Sequence, residues 1–411
     1  MTFPQLCSFI PSLSSLNRWI IVIAVGLVVS VFQEQVAAQV SKDTTLAQSG
    51  SGEDETARAL YNKGAVLARL GRSEEAIAIF DDVVRRFGTA GEPESRDMVA
   101  MALVNKAEAL SKLGRSKEEI AVYDDVIGRF GTASGTKLRE MVADALFGKG
   151  VTLRELGRSE EAIAALDDAV SRFGTASETE IREMVAMALG SKGDALDDLG
   201  RYKESIATGD DVVRRFGTAK EAELRVRVAM ALYNKGETLG QRLGRREQAI
   251  AAYDEVLARF GSAKEAELRA LVATTTYSKG VTLGQLGRKK EAVAVYDEVL
   301  RQLGTADDAD LFAIALVNKG AALSDLGRYK EAITICDDVV RHFGTANETG
   351  LRKQVAMALA NKAHALNKLG RSKEAIAVYD DVIGRFETAQ EEGLREAVAK
   401  ARHDRSAIFG Q

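Results

Sequence analysis

Cysteine and histidine are almost missing from the 411 residues, with two of the first and three of the second. Cys7 falls in an N-terminal apolar region and Cys336 lies far from it, so a chain that has lost its N-terminus can form no internal disulfide even in an oxidising compartment. His342, His364 and His403 are far apart, and no Cys/His spacing of a zinc site exists, so no metal and no cofactor is expected. Charge of one sign is also missing, since 56 basic and 60 acidic residues leave a formal net charge of -4. Without a basic stripe, a reader of nucleic acid is excluded as an expectation. No glycine loop combines the lysine and hydroxyl partners needed to cradle phosphate, and no nucleophile with a base stands out, so catalysis is not expected.

Residues 1–38 differ from the rest. Arg18 precedes an uncharged apolar run from Trp19 to Phe32, and Val36, Ala37 and Ala38 offer small residues before Gln39. The pattern is that of a secretory signal peptide, and a run of 14 residues falls short of the roughly 20 that span a bilayer. Two readings stay open, cleavage or an uncleaved signal anchor, and both place the remainder outside the cytoplasm, periplasmic or secreted. Membrane contact is then expected only through that segment. Residues 39–54, with Ser49-Gly50-Ser51-Gly52, lack apolar periodicity and read as a flexible linker.

The rest of the chain repeats. A Leu-Gly-Arg tripeptide recurs eight times, with its glycine at Gly71, Gly114, Gly157, Gly200, Gly244, Gly287, Gly327 and Gly370, spaced by 43 residues except for one interval of 44 and one of 40. Such a period marks a solenoid. Within a repeat, Val99, Leu103, Ala107, Leu110 and Leu113 step by four and three, as do Ile120, Tyr123, Val126, Ile127 and Phe130 beyond the Gly114 break, which predicts two amphipathic helices. Pro93 suits a first helical turn, Ser177 and Glu180 have capping-box spacing, and Gly88, Gly131 and Gly174 are expected to close second helices in the left-handed conformation. A lone helix pair cannot bury its apolar faces, so neighbours must.

The stretch Ala59-Leu60-Tyr61-Asn62-Lys63-Gly64, followed by Leu67, Gly71, Ala76, Phe80 and Val83, resembles the tetratricopeptide repeat pattern, and the resemblance covers residues 57 to 388. It implies an all-α, right-handed α-solenoid of eight helix-turn-helix repeats over 55–388, closed by a polar capping helix over 389–411. Departures are the long period, glycine in place of the closing proline, Glu119 at a small-residue position of repeat two, and Ser205 and Gly209 in repeat four, which marks that repeat as the weakest link. The extra residue near Gly240-Gln241-Arg242 reads as a helical bulge.

Paired acids such as Asp81-Asp82 and Asp167-Asp168 resemble acid/base or metal residues, but neighbours on a helix diverge by about 100 degrees. Basic residues follow four later, Asp81 to Arg85, Asp82 to Arg86 and Asp168 to Arg172, which reads as helical ion pairing. The resemblance implies that Asn62, Asn105, Asn234, Asn318 and Asn361 line a groove, with Ser191, Ser278 and Gly148 at the same place in the other repeats. There an amide ladder would hold the backbone of a bound peptide; the alternative reading is that these are simply exposed polar residues. The same mapping adds Arg69, Lys112, Asp194, Asp197, Asp198, Tyr233 and Tyr277, basic in the first two repeats and acidic in the fourth, to suit a partner with an acidic end and a basic middle. The expected function is a scaffold for a protein or peptide partner; the second reading is a structural array that assembles end to end.

Overall fold

In a computed structural model the chain is described over residues 52–303 and 308–409, so the expected signal segment and the linker as far as residue 51 lie outside the described residues. Among the described residues are seventeen α-helices, one π-helical turn and no strand. They run α1 (Glu53–Arg69), α2 (Ser73–Phe87), α3 (Pro93–Lys112), α4 (Ser116–Phe130), α5 (Thr136–Glu155), α6 (Ser159–Phe173), α7 (Thr179–Asp198), α8 (Tyr202–Phe216), α9 (Ala222–Glu237), the π turn (Thr238–Arg242), α10 (Arg246–Phe260), α11 (Ala266–Gln285), α12 (Lys289–Gln302), α13 (Ala309–Asp325), α14 (Tyr329–Phe343), α15 (Thr349–Lys368), α16 (Ser372–Phe386) and α17 (Glu392–Phe409). This is an all-α fold of the helical-repeat solenoid class, with eight helix pairs and a last unpaired helix. Helix α1 starts at Glu53, so two acids assigned to the linker belong to its first turn, where acidic side chains suit the helix dipole. The chain divides into two compact blocks at Ser191 and Lys192, within α7.

Close helix approach follows from small residues. Ala76, Ala162, Ala249, Ala292, Ala332 and Ala375 are all fully buried on second helices. Opposite them, a Cβ on Gly64 would fall 2.5 Å from the Phe80 ring, and one on Gly150 would fall 2.6 Å from Leu166. The ring or branch of the second helix occupies the space that a larger residue on the first would need.

Leu-Gly-Arg is a turn with three jobs. Its glycine takes positive φ in every repeat, for example 75° at Gly71. The arginine N–H then returns to the first helix, Arg72 to the Leu67 carbonyl at 2.9 Å, closing it in Schellman fashion. The arginine side chain forks onto a glutamate three residues on: Arg72 reaches Glu75 with both bonds at 2.6 Å. The same fork recurs at Arg115 and Glu118, Arg158 and Glu161, and Arg371 and Glu374. Repeat five has Gln248 three residues after its Arg245 in place of the glutamate, and the next residue, Arg246, donates to Gln285 at 3.0 Å.

Two expectations about helix ends are corrected. Gly88, Gly131 and Gly174 are right-handed, with φ of −60°, −59° and −63°, so among the described residues the left-handed positions belong to Leu-Gly-Arg alone. At Gly131 the room is used by an arginine of the next repeat, Arg172, whose guanidinium lies over it and donates to its carbonyl at 3.4 Å. The Ser177/Glu180 capping box does not form, because α7 starts at Thr179 and the Glu178 carboxylate takes the Ser177 N–H at 3.0 Å. That glutamate also ion-pairs with Arg139, which lies 6.0 Å over the Phe173 ring. The same trio of arginine, phenylalanine and glutamate recurs as Arg225, Phe260 and Glu265, and as Arg352, Phe386 and Glu391.

Of the paired acids, the second bonds within its own helix, Asp82 to Arg86 at 2.9 Å and Asp168 to Arg172 at 2.7 Å. The first crosses to the next repeat. Asp81 pairs with Lys106 at 2.5 Å rather than with Arg85, and Asp124–Lys149, Asp210–Lys235, Asp254–Lys279, Asp297–Lys319 and Asp337–Lys362 repeat that bond. The 100° between neighbouring residues sends one acid along its helix and the other across the stack.

Among the second helices of the repeats, α8 buries the fewest residues, Thr208, Val212 and Phe216. A Cβ on Gly209 would meet the Ala231 carbonyl at 3.4 Å, an ordinary contact. Gly209→Ala is therefore expected to stabilise α8 by about 0.5–1 kcal/mol, read as slower amide exchange of that helix, whereas Gly150→Ala should cost about 1–3 kcal/mol through overpacking against Leu166.

Candidate binding surface

Each first helix carries a tyrosine or other side chain at one position and the proposed ladder residue at the next. The tyrosine is wedged against an aromatic ring of its own second helix: Tyr61 on Phe80 with centroids 6.3 Å apart, Tyr233 on Tyr253 at 6.2 Å, and Tyr277 on Tyr296 at 6.2 Å. Burial pushes the Tyr233 and Tyr277 phenols above their ordinary range. Their hydroxyls need partners, and the next repeat supplies them. Asn105 donates its amide to the Tyr61 hydroxyl at 3.0 Å, Asn318 does so to Tyr277 at 2.9 Å, and the Ser278 hydroxyl faces Tyr233.

The asparagine ladder is thus divided. Asn105 and Asn318 each use one amide hydrogen inside the fold, which leaves each of them less to offer a guest. Asn62, Asn234 and Asn361 make no side-chain hydrogen bond among the described residues, and Asn62 and Asn234 are exposed. In repeat three the ladder position is Gly148 because the Tyr123 ring fills it, with its hydroxyl 2.5 Å from where a Cβ would stand.

In the block from Lys192 onward, the π turn opens a cleft of about 260 Å³ lined by Asp194, Asp197, Asn234, Glu237, Thr238, Gln241 and Arg242. An extra residue in a helix bulges the backbone outward, and here the bulge forms the cleft wall. Asp197 accepts the Thr238 hydroxyl at 3.1 Å through one carboxylate oxygen, while the other is buried without a hydrogen-bond donor. Glu237 accepts the Tyr253 phenol at 2.5 Å. The lining holds three carboxylates and one guanidinium, so it favours cationic over anionic guests.

Three of the sequence-assigned residues, Asp194, Asp197 and Asn234, meet in this cleft, and Asp198 is exposed outside its lining. Tyr277 and Asn318 bond to each other. Arg69 and Lys112 lie in the other block, both exposed, the first 3.4 Å from the Ala65 carbonyl and the second paired with Glu108 at 2.8 Å. Glu237, Thr238, Gln241 and Arg242 were missed, although the single 44-residue interval marks their place. Cys336 is fully buried and its thiol is pushed up to about 12 by burial, as befits a core residue. Among the described residues no group of three or more His, Cys, Asp or Glu is placed to hold a metal ion, and no helix is long and apolar enough to cross a membrane.

Family models described as tetratricopeptide repeat match residues 43–91, 133–178, 227–303, 277–347 and 357–388, which together cover more than half of the chain. No curated protein matches it. Among solved structures, the apo form of RapI is similar over 86% of this chain and 97% of its own, at 14% identity and a TM-score of 0.53. BtubC from P. vanneervenii is similar over 56% of this chain and 92% of its own, at 16% identity and a TM-score of 0.45.

With a buried, high-pKa thiol, Cys336 should resist alkylation at neutral pH in the folded chain and react on addition of urea. Rapid labelling before unfolding would contradict the packing described.

Proposed function

The chain belongs to the tetratricopeptide repeat family, whose arrays are protein-interaction scaffolds, and from that premise we propose that it holds an extended, basic segment of a partner protein outside the cytoplasm. The observation that carries this reading is the cleft at the π turn. It joins an exposed Asn234, free of side-chain bonds, to a lining with an excess of two carboxylates over cations. Asn234 offers a donor and an acceptor to a peptide backbone, and the acids offer a seat for a lysine or arginine side chain. No catalytic step is proposed.

The location rests on the Trp19–Phe32 run and the small residues that follow it, and N-terminal sequencing of the mature protein tests it. End-to-end assembly is the weaker reading for one reason of structure. Helix α17 buries Leu394, Val398 and Ala401 against the array and turns Arg395, Glu396, Lys400, Arg402 and His403 outward, a face that gives a second copy little apolar surface.

Extended peptides of basic, neutral and acidic composition, titrated against the chain by fluorescence anisotropy, should rank in that order, with affinity falling as salt rises. Changing Asp194, Asp197 and Glu237 to their amides should weaken the basic peptide by roughly tenfold or more, about 1.4 kcal/mol. Equal binding of all three peptides, or no effect of the triple change, would sink the proposal.

A further inference from the structure

Glu119 sits where six other repeats bury an alanine and one has a serine, and it is only 3% exposed. Its Oε1 lies 2.8 Å from the Thr152 hydroxyl of repeat three, and that hydroxyl lies 2.9 Å from the Gly148 carbonyl. A threonine hydroxyl has one hydrogen. If Glu119 is a carboxylate, the hydrogen serves either the carboxylate or the Gly148 oxygen, and one contact is left acceptor against acceptor. If Glu119 is protonated, it donates to Thr152, Thr152 donates to Gly148, and both contacts are hydrogen bonds.

Burial is the largest influence on Glu119 and leaves the balance toward the protonated form, with Glu155 of α5 on the same side; the hydroxyls of Thr152 on α5, Ser111 on α3 and Tyr123 on α4 pull the other way by hydrogen bonding to the carboxylate. Tyr123 in turn faces Glu108, which is paired with Lys112, and Asp144. The one cation acting among these buried acids is Lys137, and it acts on Asp144. Burial raises the Glu119 pKa, with Glu155 adding to it, and burial with Glu108 raises Asp144 to about 6.

We propose that the joint between repeats two and three is a proton-operated clamp, in which Glu119 takes a proton from solvent on mild acidification and closes a hydrogen-bond chain through Thr152 to Gly148. The clamp is independent of what the binding surface holds. Because both acids have folded values above their unfolded ones, their contribution is complete below the unfolded values and is lost as pH rises through the folded ones. Glu118, forked by Arg115, runs the other way, its contribution being lost as pH falls. The joint therefore tightens as pH falls through the raised folded value of Glu119, before the surface forks give way.

The test is hydrogen exchange on the whole chain at about pH 7.5 and about pH 5.5, corrected for the intrinsic rate, with α14 and α16 as internal standards because alanine stands at their equivalent positions. In the wild type, α4 and α5 should gain several-fold more protection than α14 and α16 on acidification. Glu119→Gln, the same shape without a titrating proton, should remove most of that response and leave only the smaller part that Asp144 supplies, and Glu119→Ala should do the same with higher protection at the higher pH. Asp144→Asn should leave most of the response. A wild-type response equal to that of α14 and α16, a full response in Glu119→Gln, or its loss in Asp144→Asn alone would each overturn the clamp; if the alanine variant does not fold, the glutamine variant still decides.

Discussion

Everything in this fold rests on how near two helices approach within a repeat. An alanine on the second helix and a glycine or alanine on the first bring the backbones close, and the aromatic ring one turn further on then reaches into the first helix, as Phe80 does at Gly64. Because that distance is set in the same way within each block, side chains 25 residues apart, or 39 to 40 residues apart, fall into the same register repeat after repeat. The Lys–Asp bonds between neighbours and the Arg–Phe–Glu trios are consequences of it. Exposed pairs of this kind contribute only a few tenths of a kcal/mol each, so they tune a stack that apolar burial has already formed.

The places where the small-residue rule is broken are the places with individual character. Glu119 brings a carboxyl into the core, and the Tyr123 ring on the same helix fills the ladder position of repeat three at Gly148. Ser205 and Gly209 leave α8 with three buried residues. One extra residue in repeat five becomes the π turn and opens the cleft. A strictly regular array would offer the same surface at every step; these departures make one joint, one helix and one cleft unlike the rest.

Repeat number, helix pairs and the buried alanines were legible in the sequence because they are periodic within a turn or within a repeat. What was not legible depends on geometry across repeats. Two kinds of glycine follow helices, those of Leu-Gly-Arg and those of Phe-Gly, and composition alone does not say that, among the described residues, only Gly71 and its counterparts are left-handed. Asp81 has an arginine four residues on and a lysine 25 residues on, and only the fold shows that the lysine wins. The cleft was half legible: Asp194, Asp197 and Asn234 follow from the repeat map, whereas Glu237, Thr238, Gln241 and Arg242 enter it because the backbone bulges.

The division of the asparagine ladder bears directly on how the surface works. Asn105 and Asn318 give up part of their hydrogen-bonding capacity to a tyrosine, which lessens what they can offer a guest. In exchange the tyrosine is held at both ends, by a ring beneath and an amide beside it, and the face it forms is rigid before any partner arrives. A surface with fewer free groups but fixed ones loses less entropy on binding than a mobile one with more. Of the groups left without a side-chain hydrogen bond, Asn234 and the buried oxygen of Asp197 share one cleft while Asn62 and Asn361 lie outside its lining, so under the proposed function the cleft is where a guest finds most of its partners together.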